Sequence, residues 1–275
     1  MPLIDAAHGR VSTTAWGDDD APLVVCVPGL SQDERSFAAL GPRLAGTGHH
    51  VVAVSPRGRG GSDVTAPGTY GWPHHAADVA ALATVLGADA FDVVGWSFGA
   101  FVGMTLANEH PDRVRRLVLL DAVGRPDPSA LGPIVAGLER LGAVYDSPEE
   151  YRAIATSSGG MSGCAEAWDG YLAGDLVAVG SGYSTRTDKD AVLEDSTYGA
   201  THDPYELWPA LTMPTLLVRA AQPVLPGLGW IVTEQDRDRF PTVAPGGRVA
   251  EVDANHYCVG MVTETADLLE EHFHA

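Results

Sequence analysis

Two kinds of apolar pattern alternate along this chain. Short continuous runs are each closed by a turn signal. Leu23-Val24-Val25-Cys26-Val27 stops at Pro28-Gly29, and Val51-Val52-Ala53-Val54 stops at Ser55-Pro56. Phe91 to Val94, Val114 to Leu120, Thr215 to Val218 and Val249 to Val252 repeat the type. Such runs read as strands buried on both faces. Between them, apolar residues recur every three or four positions, over about Glu34 to Leu44, Ala76 to Leu86, Ala100 to Asn108 and Thr263 to Phe273. Those stretches read as helices. Repeated strand–helix units with near-continuous apolar strands predict an α/β fold, a doubly wound and mostly parallel sheet with helices on both faces.

The rhythm breaks between Ala122 and Met213. Strand signals stop there and helical stripes take over: Leu131, Ile134, Val135, Leu138 and Leu141, then Tyr151 and Ile154, then Trp168, Tyr171 and Leu172. Ser157 to Gly163, rich in Ser and Gly, reads as a flexible joint. The expected organisation is a core of residues 1–121 and 213–275, with residues 122–212 inserted as a helical cap over the sheet.

Composition narrows the partners. The formal charge is −19, and hydrophobic residues make up 45% of the 275 positions. Such a chain folds, and its surface repels phosphate backbones and anionic lipid, which argues against nucleic acid and membrane as partners. All basic residues but Lys189 are arginine, a bias typical of GC-rich bacterial coding. Three widely spaced cysteines, Cys26, Cys164 and Cys258, make neither a disulfide framework nor a metal site. Met1 to Arg10 shows no basic stretch leading into an apolar one, and no apolar run reaches membrane length, so a cytoplasmic protein is expected.

One motif carries chemistry. Gly95-Trp96-Ser97-Phe98-Gly99 sits between a strand and the helix after it. By itself the pattern is weak in a chain rich in Gly and Ser. In that context it places a serine on a sharp turn that lifts its hydroxyl clear of the sheet, above a helix N-terminus. Further motifs follow in order: Val27-Pro28-Gly29-Leu30, Pro56-Arg57-Gly58-Arg59-Gly60-Gly61-Ser62, Glu109-His110-Pro111-Asp112-Arg113-Val114 and Met213-Pro214-Thr215-Leu216-Leu217-Val218. With them the chain resembles the α/β-hydrolase superfamily over nearly its whole length.

The resemblance implies roles by position. Ser97 would be the nucleophile. His256, in Asp253-Ala254-Asn255-His256-Tyr257 after the last strand, would be the base. Asn255 stands where the family usually has Gly, a change that turn-forming Asn tolerates. The acid departs from the common pattern. Most relatives place it after the strand following the cap, but Arg219 to Leu225 holds no carboxylate. Asp121, ending the strand before the cap, resembles the position used by zearalenone-lactonase-like hydrolases and cofactor-free ring-cleaving dioxygenases, and is the expected acid. Glu234 or Asp236 folding back is the alternative, and a Ser-His dyad a third. The backbone N–H groups of Leu30 and Phe98 would form the oxyanion hole. Trp96, Phe98, Trp168, Tyr171, Tyr183 and Tyr257 are candidates to line an apolar substrate pocket.

These residues predict a serine hydrolase that cleaves a carboxylic ester, lactone or thioester of a small apolar molecule, with no cofactor and no metal. Two other readings fit the same sequence: a cofactor-free dioxygenase using the His-Asp pair on a heteroaromatic substrate, and a ligand sensor with little turnover. Haloalkane dehalogenases and epoxide hydrolases carry Asp where Ser97 stands. Gly58-Arg59-Gly60-Gly61 lacks the lysine and spacing of a phosphate loop.

Overall fold

The computed structural model describes residues 3–274. Met1 and Pro2, part of the segment read for a leader, lie outside the described residues. The chain opens with two strands that the apolar pattern did not reveal, β1 (Leu3–Ala6) and β2 (Gly9–Trp16), both half-exposed at one edge. There follow β3 (Leu23–Val27), a 3-10 turn over Glu34–Phe37, α1 (Leu40–Ala45) and β4 (His50–Val54). Then come α2 (Trp72–Val85), β5 (Phe91–Trp96), α3 (Phe98–Glu109) and β6 (Val114–Leu120).

The sheet has the order β1-β2-β4-β3-β5-β6, continued by β9 (Thr215–Ala220) and β10 (Gly247–Val252). β1 pairs with β2, and β2 with β4, antiparallel; every other pairing is parallel. The parallel strands at the centre are the sequence's continuous apolar runs, because both of their faces are covered. Val25, Val27, Val93 and Leu117 face one packed layer; Val24, Cys26, Val94 and Val118 face the other. α8 (Glu234–Val243) and the closing α9 (Thr263–His274) complete the core.

The segment between β6 and β9 carries α4 (Leu131–Glu139), α5 (Pro148–Thr156), α6 (Ala165–Gly174) and α7 (Lys189–Thr201). It is not purely helical. β7 (Leu176–Val179) and β8 (Gly182–Thr185) form a two-stranded antiparallel hairpin within it. At four residues each, with a turn at Gly180, these strands are too short to stand out in an apolar pattern. No helix among the described residues is long and apolar enough to cross a membrane.

Two expectations for this segment are corrected. Cys164 and Cys258 form a disulfide, which sequence spacing could not suggest because 94 positions separate them. Only Cys26 stays free, buried in β3. The Ser157 to Gly163 stretch is a pinned turn rather than a loose joint. Asn255 Nδ2 donates to the Gly160 carbonyl at 2.8 Å, the disulfide follows at Cys164, and Trp168 Nε1 donates to the Tyr257 carbonyl at 2.9 Å. These links fasten the insertion to the loop between β10 and α9.

A disulfide closing so long a loop restrains the unfolded chain strongly. Cys164→Ser is expected to lower unfolding free energy by about 2–5 kcal/mol in urea titrations without reductant. Adding dithiothreitol should bring the wild type to the same midpoint. Coincident wild-type and variant curves in non-reducing buffer would remove the disulfide from the stability account.

Candidate active site

Three side chains meet at the carboxyl ends of the parallel strands. Ser97 follows β5, Asp121 follows β6 and His256 follows β10. That edge is where open α/β sheets offer a crevice to ligands. His256 Nδ1 lies 2.8 Å from Asp121 Oδ2, and His256 Nε2 lies 3.1 Å from Ser97 Oγ. Asp121 is buried, its second oxygen accepting the Ala220 N–H at 3.0 Å. The imidazole therefore carries its proton on Nδ1, facing a fixed carboxylate, and turns a bare Nε2 toward the serine hydroxyl.

The backbone at two of these positions is strained. Ser97 (φ 53°) and Asp121 (φ 48°) are the only non-glycine residues with positive φ among the described residues. Such conformations cost on the order of 1–3 kcal/mol each and persist only where the surroundings enforce them. Here the enforcement is visible. Ser97 N–H is held by the Leu120 carbonyl at 2.9 Å, and Asp121 N–H by the Val218 carbonyl at 2.9 Å. A Cβ at Gly95 would strike the Gly99 carbonyl, and one at Gly99 the Val27 carbonyl, so α3 reaches the sheet only because both are glycine.

Phe98 N–H is the first of α3 and has no partner within the helix. Neither it nor Leu30 N–H makes a hydrogen bond among the described residues. A network that the sequence did not disclose holds the Leu30 loop. Arg59, fully buried, donates to the Leu30 carbonyl from Nε (3.0 Å) and Nη2 (2.9 Å), and to the Arg57 carbonyl from Nη1 (2.7 Å). Its charge is met by Asp195 of α7 at 2.6 Å, which also receives the Gly71 N–H and lies 3.0 Å from His75 Nε2. Burial pushes His75 below its ordinary value, leaving Arg59 to balance the carboxylate. The insertion thus reaches the Leu30 loop through a buried ion pair, and Thr187 Oγ1 donates to the neighbouring Ser31 carbonyl at 3.1 Å.

Glu234 and Asp236 stand elsewhere. Glu234 is exposed in the first turn of α8, and buried Asp236 accepts the Tyr205 hydroxyl at 3.1 Å. Asn255 has no need of a left-handed backbone. Its Oδ1 accepts the N–H groups of Tyr257 (3.0 Å) and Cys258 (3.1 Å), an Asx turn that shapes the loop behind His256.

A cavity of about 390 Å³ opens over Ser97 and His256, between the strand ends and the insertion. Trp96, Trp168, Tyr171 and Tyr257, four of the pocket candidates read from sequence, line it, and Leu30 joins them. Tyr183 does not. It sits on β8, exchanging backbone hydrogen bonds with Tyr145 outside the cavity. The Phe98 ring is also directed away, packed edge-on against His75. α4 supplies much of the remaining apolar wall, through Ile134 and Leu138.

Asp175 at the end of α6 also lines the cavity, though buried. Tyr151 donates to its Oδ2, while Oδ1 makes no hydrogen bond among the described residues. Burial pushes its pKa up to about 7, against attraction from Arg35.

Known proteins share this architecture. A family model described as the alpha/beta hydrolase fold matches residues 22–165, just over half the chain. The chain belongs to the alpha/beta hydrolase fold family. Among curated relatives, the 3-hydroxybutyrate-oligomer hydrolase of Cupriavidus necator is 32% identical over 145 residues, 52% of this chain and 47% of that one. The chain thus spans about half the length of that relative. The N-formylmaleamate deformylase of Pseudomonas putida is 26% identical over 84% of this chain and 80% of its own. Among solved structures, E-2-(acetamidomethylene)succinate hydrolase superposes with a TM-score of 0.86 over 100% of both chains, at 22% identity. That last likeness concerns the fold alone.

The Asp175 environment gives the protein a pH signature. An unfolded Asp175 titrates near the ordinary 3.8 and the folded one at about 7. Below pH 4 both forms are protonated and the site is silent. As pH rises the unfolded chain ionises first, so stability is lost up to about pH 7 and the loss is then complete. Asp175→Asn is therefore expected to gain on the wild type between pH 4 and pH 8, by on the order of a few kcal/mol. Urea midpoints at the two pH values check this; a constant difference would contradict it.

Proposed function

We propose that this protein is a serine hydrolase that transfers the acyl group of a small, largely apolar ester, lactone or thioester to water. The observation that carries the reading is the unbroken relay from Ser97 Oγ to His256 Nε2 and from His256 Nδ1 to Asp121 Oδ2. A serine hydroxyl becomes a useful nucleophile only beside a base that can take its proton, and here the base is both in contact and oriented.

In this reading the steps run in a fixed order. Ser97 Oγ attacks the carbonyl while His256 Nε2 takes the proton. Asp121 keeps the imidazole in the right tautomer and stabilises the imidazolium. The free N–H groups of Leu30 and Phe98 receive the oxyanion, in a site already shaped before substrate arrives. His256 returns the proton to the leaving oxygen or sulfur. Water, deprotonated by the same Nε2, then attacks the acyl carbon, and Nε2 returns that proton to Ser97 Oγ as the ester bond breaks and the acid leaves. Arg59 and Asp195 act as positioning residues through the Leu30 peptide.

Residues 122–212 act as the cap of this enzyme over a core of residues 1–121 and 213–275. The shared cavity lining supports that division. The Ser97–His256 contact favours nucleophilic catalysis over a reaction run by the His-Asp pair alone. For location the reading remains cytoplasmic, and the Cys164–Cys258 disulfide is the one observation that argues for an oxidising compartment instead.

A fluorophosphonate probe is expected to label the wild type and to leave Ser97→Ala unlabelled. With a p-nitrophenyl ester that the wild type turns over, Asp121→Asn should lower kcat by about 10³–10⁴. Labelling of Ser97→Ala, or a near-normal rate for Asp121→Asn, would sink the assignment.

A further inference from the structure

The arginines of this acidic chain are almost all engaged. Exposed ones pair with carboxylates, as Arg10 does with Asp63 and Arg152 with Asp169. Others donate to backbone carbonyls, as Arg113 and Arg186 do, or lie over rings, as Arg239 does. Arg140 is the exception. Among the described residues its guanidinium makes no hydrogen bond, ion pair or ring contact, in a chain where acidic residues outnumber basic ones 36 to 17. It is partly buried at the end of α4 and lines the same cavity as Ser97 and His256.

A second free donor lines the same cavity. Tyr257, next to His256, also lines the cavity, and its hydroxyl makes no hydrogen bond among the described residues. Burial pushes this phenol up, so it stays protonated, and the Arg140 charge acts on it in the opposite sense. Both groups line the one cavity, and that shared lining is what offers them to a single ligand. An unpaired guanidinium in a largely apolar wall offers several N–H donors in a planar fork, geometry that matches a carboxylate.

We propose that Arg140, with the Tyr257 hydroxyl, forms a carboxylate-binding subsite, and that the substrate is an acyl compound bearing a carboxylate away from its scissile carbonyl. The inference rests on the hydrolase reading for the word substrate, and on the cavity alone for binding. Asp175 is the one carboxylate in the cavity lining, and three features limit its repulsion. Tyr151 donates to it, Arg35 lies 3.7 Å away, and burial favours its neutral form. The chain's overall negative charge weakens such substrates at long range. Inside the cavity the nearest charge decides, because apolar walls screen less than water.

The test has two arms. In the first, mono-p-nitrophenyl esters of succinate, glutarate and adipate are compared with neutral p-nitrophenyl esters of equal length. The wild type should favour the best carboxylate ester in kcat/KM by about 10- to 100-fold. Arg140→Gln should remove that preference through KM, Arg140→Lys should restore part of it, and added salt should erode it. A role limited to capping α4 would move the unfolding midpoint and leave the substrate ratio alone; that result overturns the proposal. The second arm needs no turnover. Quenching of Trp96 and Trp168 fluorescence is titrated with glutarate, hexanol and hexylammonium. Glutarate should bind most tightly, and no longer so in Arg140→Gln. Tighter binding of hexylammonium would hand the cavity's polarity to Asp175 and refute the subsite. Glutarate binding without cleavage of any ester would keep the subsite and discard the hydrolase reading.

Discussion

The approach of helix α3 to the sheet is the constraint on which the site depends. The helix begins directly above the ends of β3 and β5, so close that a single methyl group at position 95 or 99 would meet a carbonyl oxygen. That closeness forces the turn at Ser97 into a left-handed conformation and raises its hydroxyl above the sheet edge. It also brings the first N–H of the helix beside the loop after β3. The raised Ser97 hydroxyl and the free N–H groups near it are thus consequences of one packing contact. The strain at Ser97 and Asp121 is held by backbone hydrogen bonds to neighbouring strands, which the buried core makes rigid.

Around that contact the insertion contributes structure as well as cover. α7 sends Asp195 into the core to neutralise Arg59, and Arg59 in turn holds the Leu30 peptide. On the opposite side, Gly160, Cys164 and Trp168 grip the loop that carries His256. Both walls of the crevice are fixed by residues between β6 and β9. Changes in that segment should therefore be felt in the geometry of Ser97 and His256 as well as in the shape of the cavity. A buried ion pair such as Arg59–Asp195 is costly to desolvate, and removing one partner leaves the other charge stranded. Its value here lies in joining the two parts of the chain at a fixed register.

Much of this was legible in the sequence, for identifiable reasons. Central strands buried on both faces write continuous apolar runs, so β3 to β6, β9 and β10 stood out. β1 and β2 lie at an exposed edge and β7 and β8 form a short hairpin, so their patterns are diluted below notice. Ser97 and His256 were readable because each sits in a fixed place in the strand–helix rhythm. Asp121 was readable partly by default, since the loop after β9 offers no carboxylate. Tyr183 was misplaced because an aromatic residue on a short strand looks the same in sequence whichever face it presents.

The sequence by itself determined the order of the central elements, the parallel sheet and the positions at which a serine, a histidine and an aspartate follow their strands, because burial and turn chemistry are local and periodic. Tertiary structure alone decided which distant groups meet. It joined Cys164 to Cys258, set Asp195 against Arg59, excluded Glu234 and Asp236 from the imidazole, and left Arg140 facing a cavity without a partner. Contacts across 94 or 135 positions leave no periodic trace. They depend on how far each element is carried before the chain returns, and only the packed molecule fixes that distance.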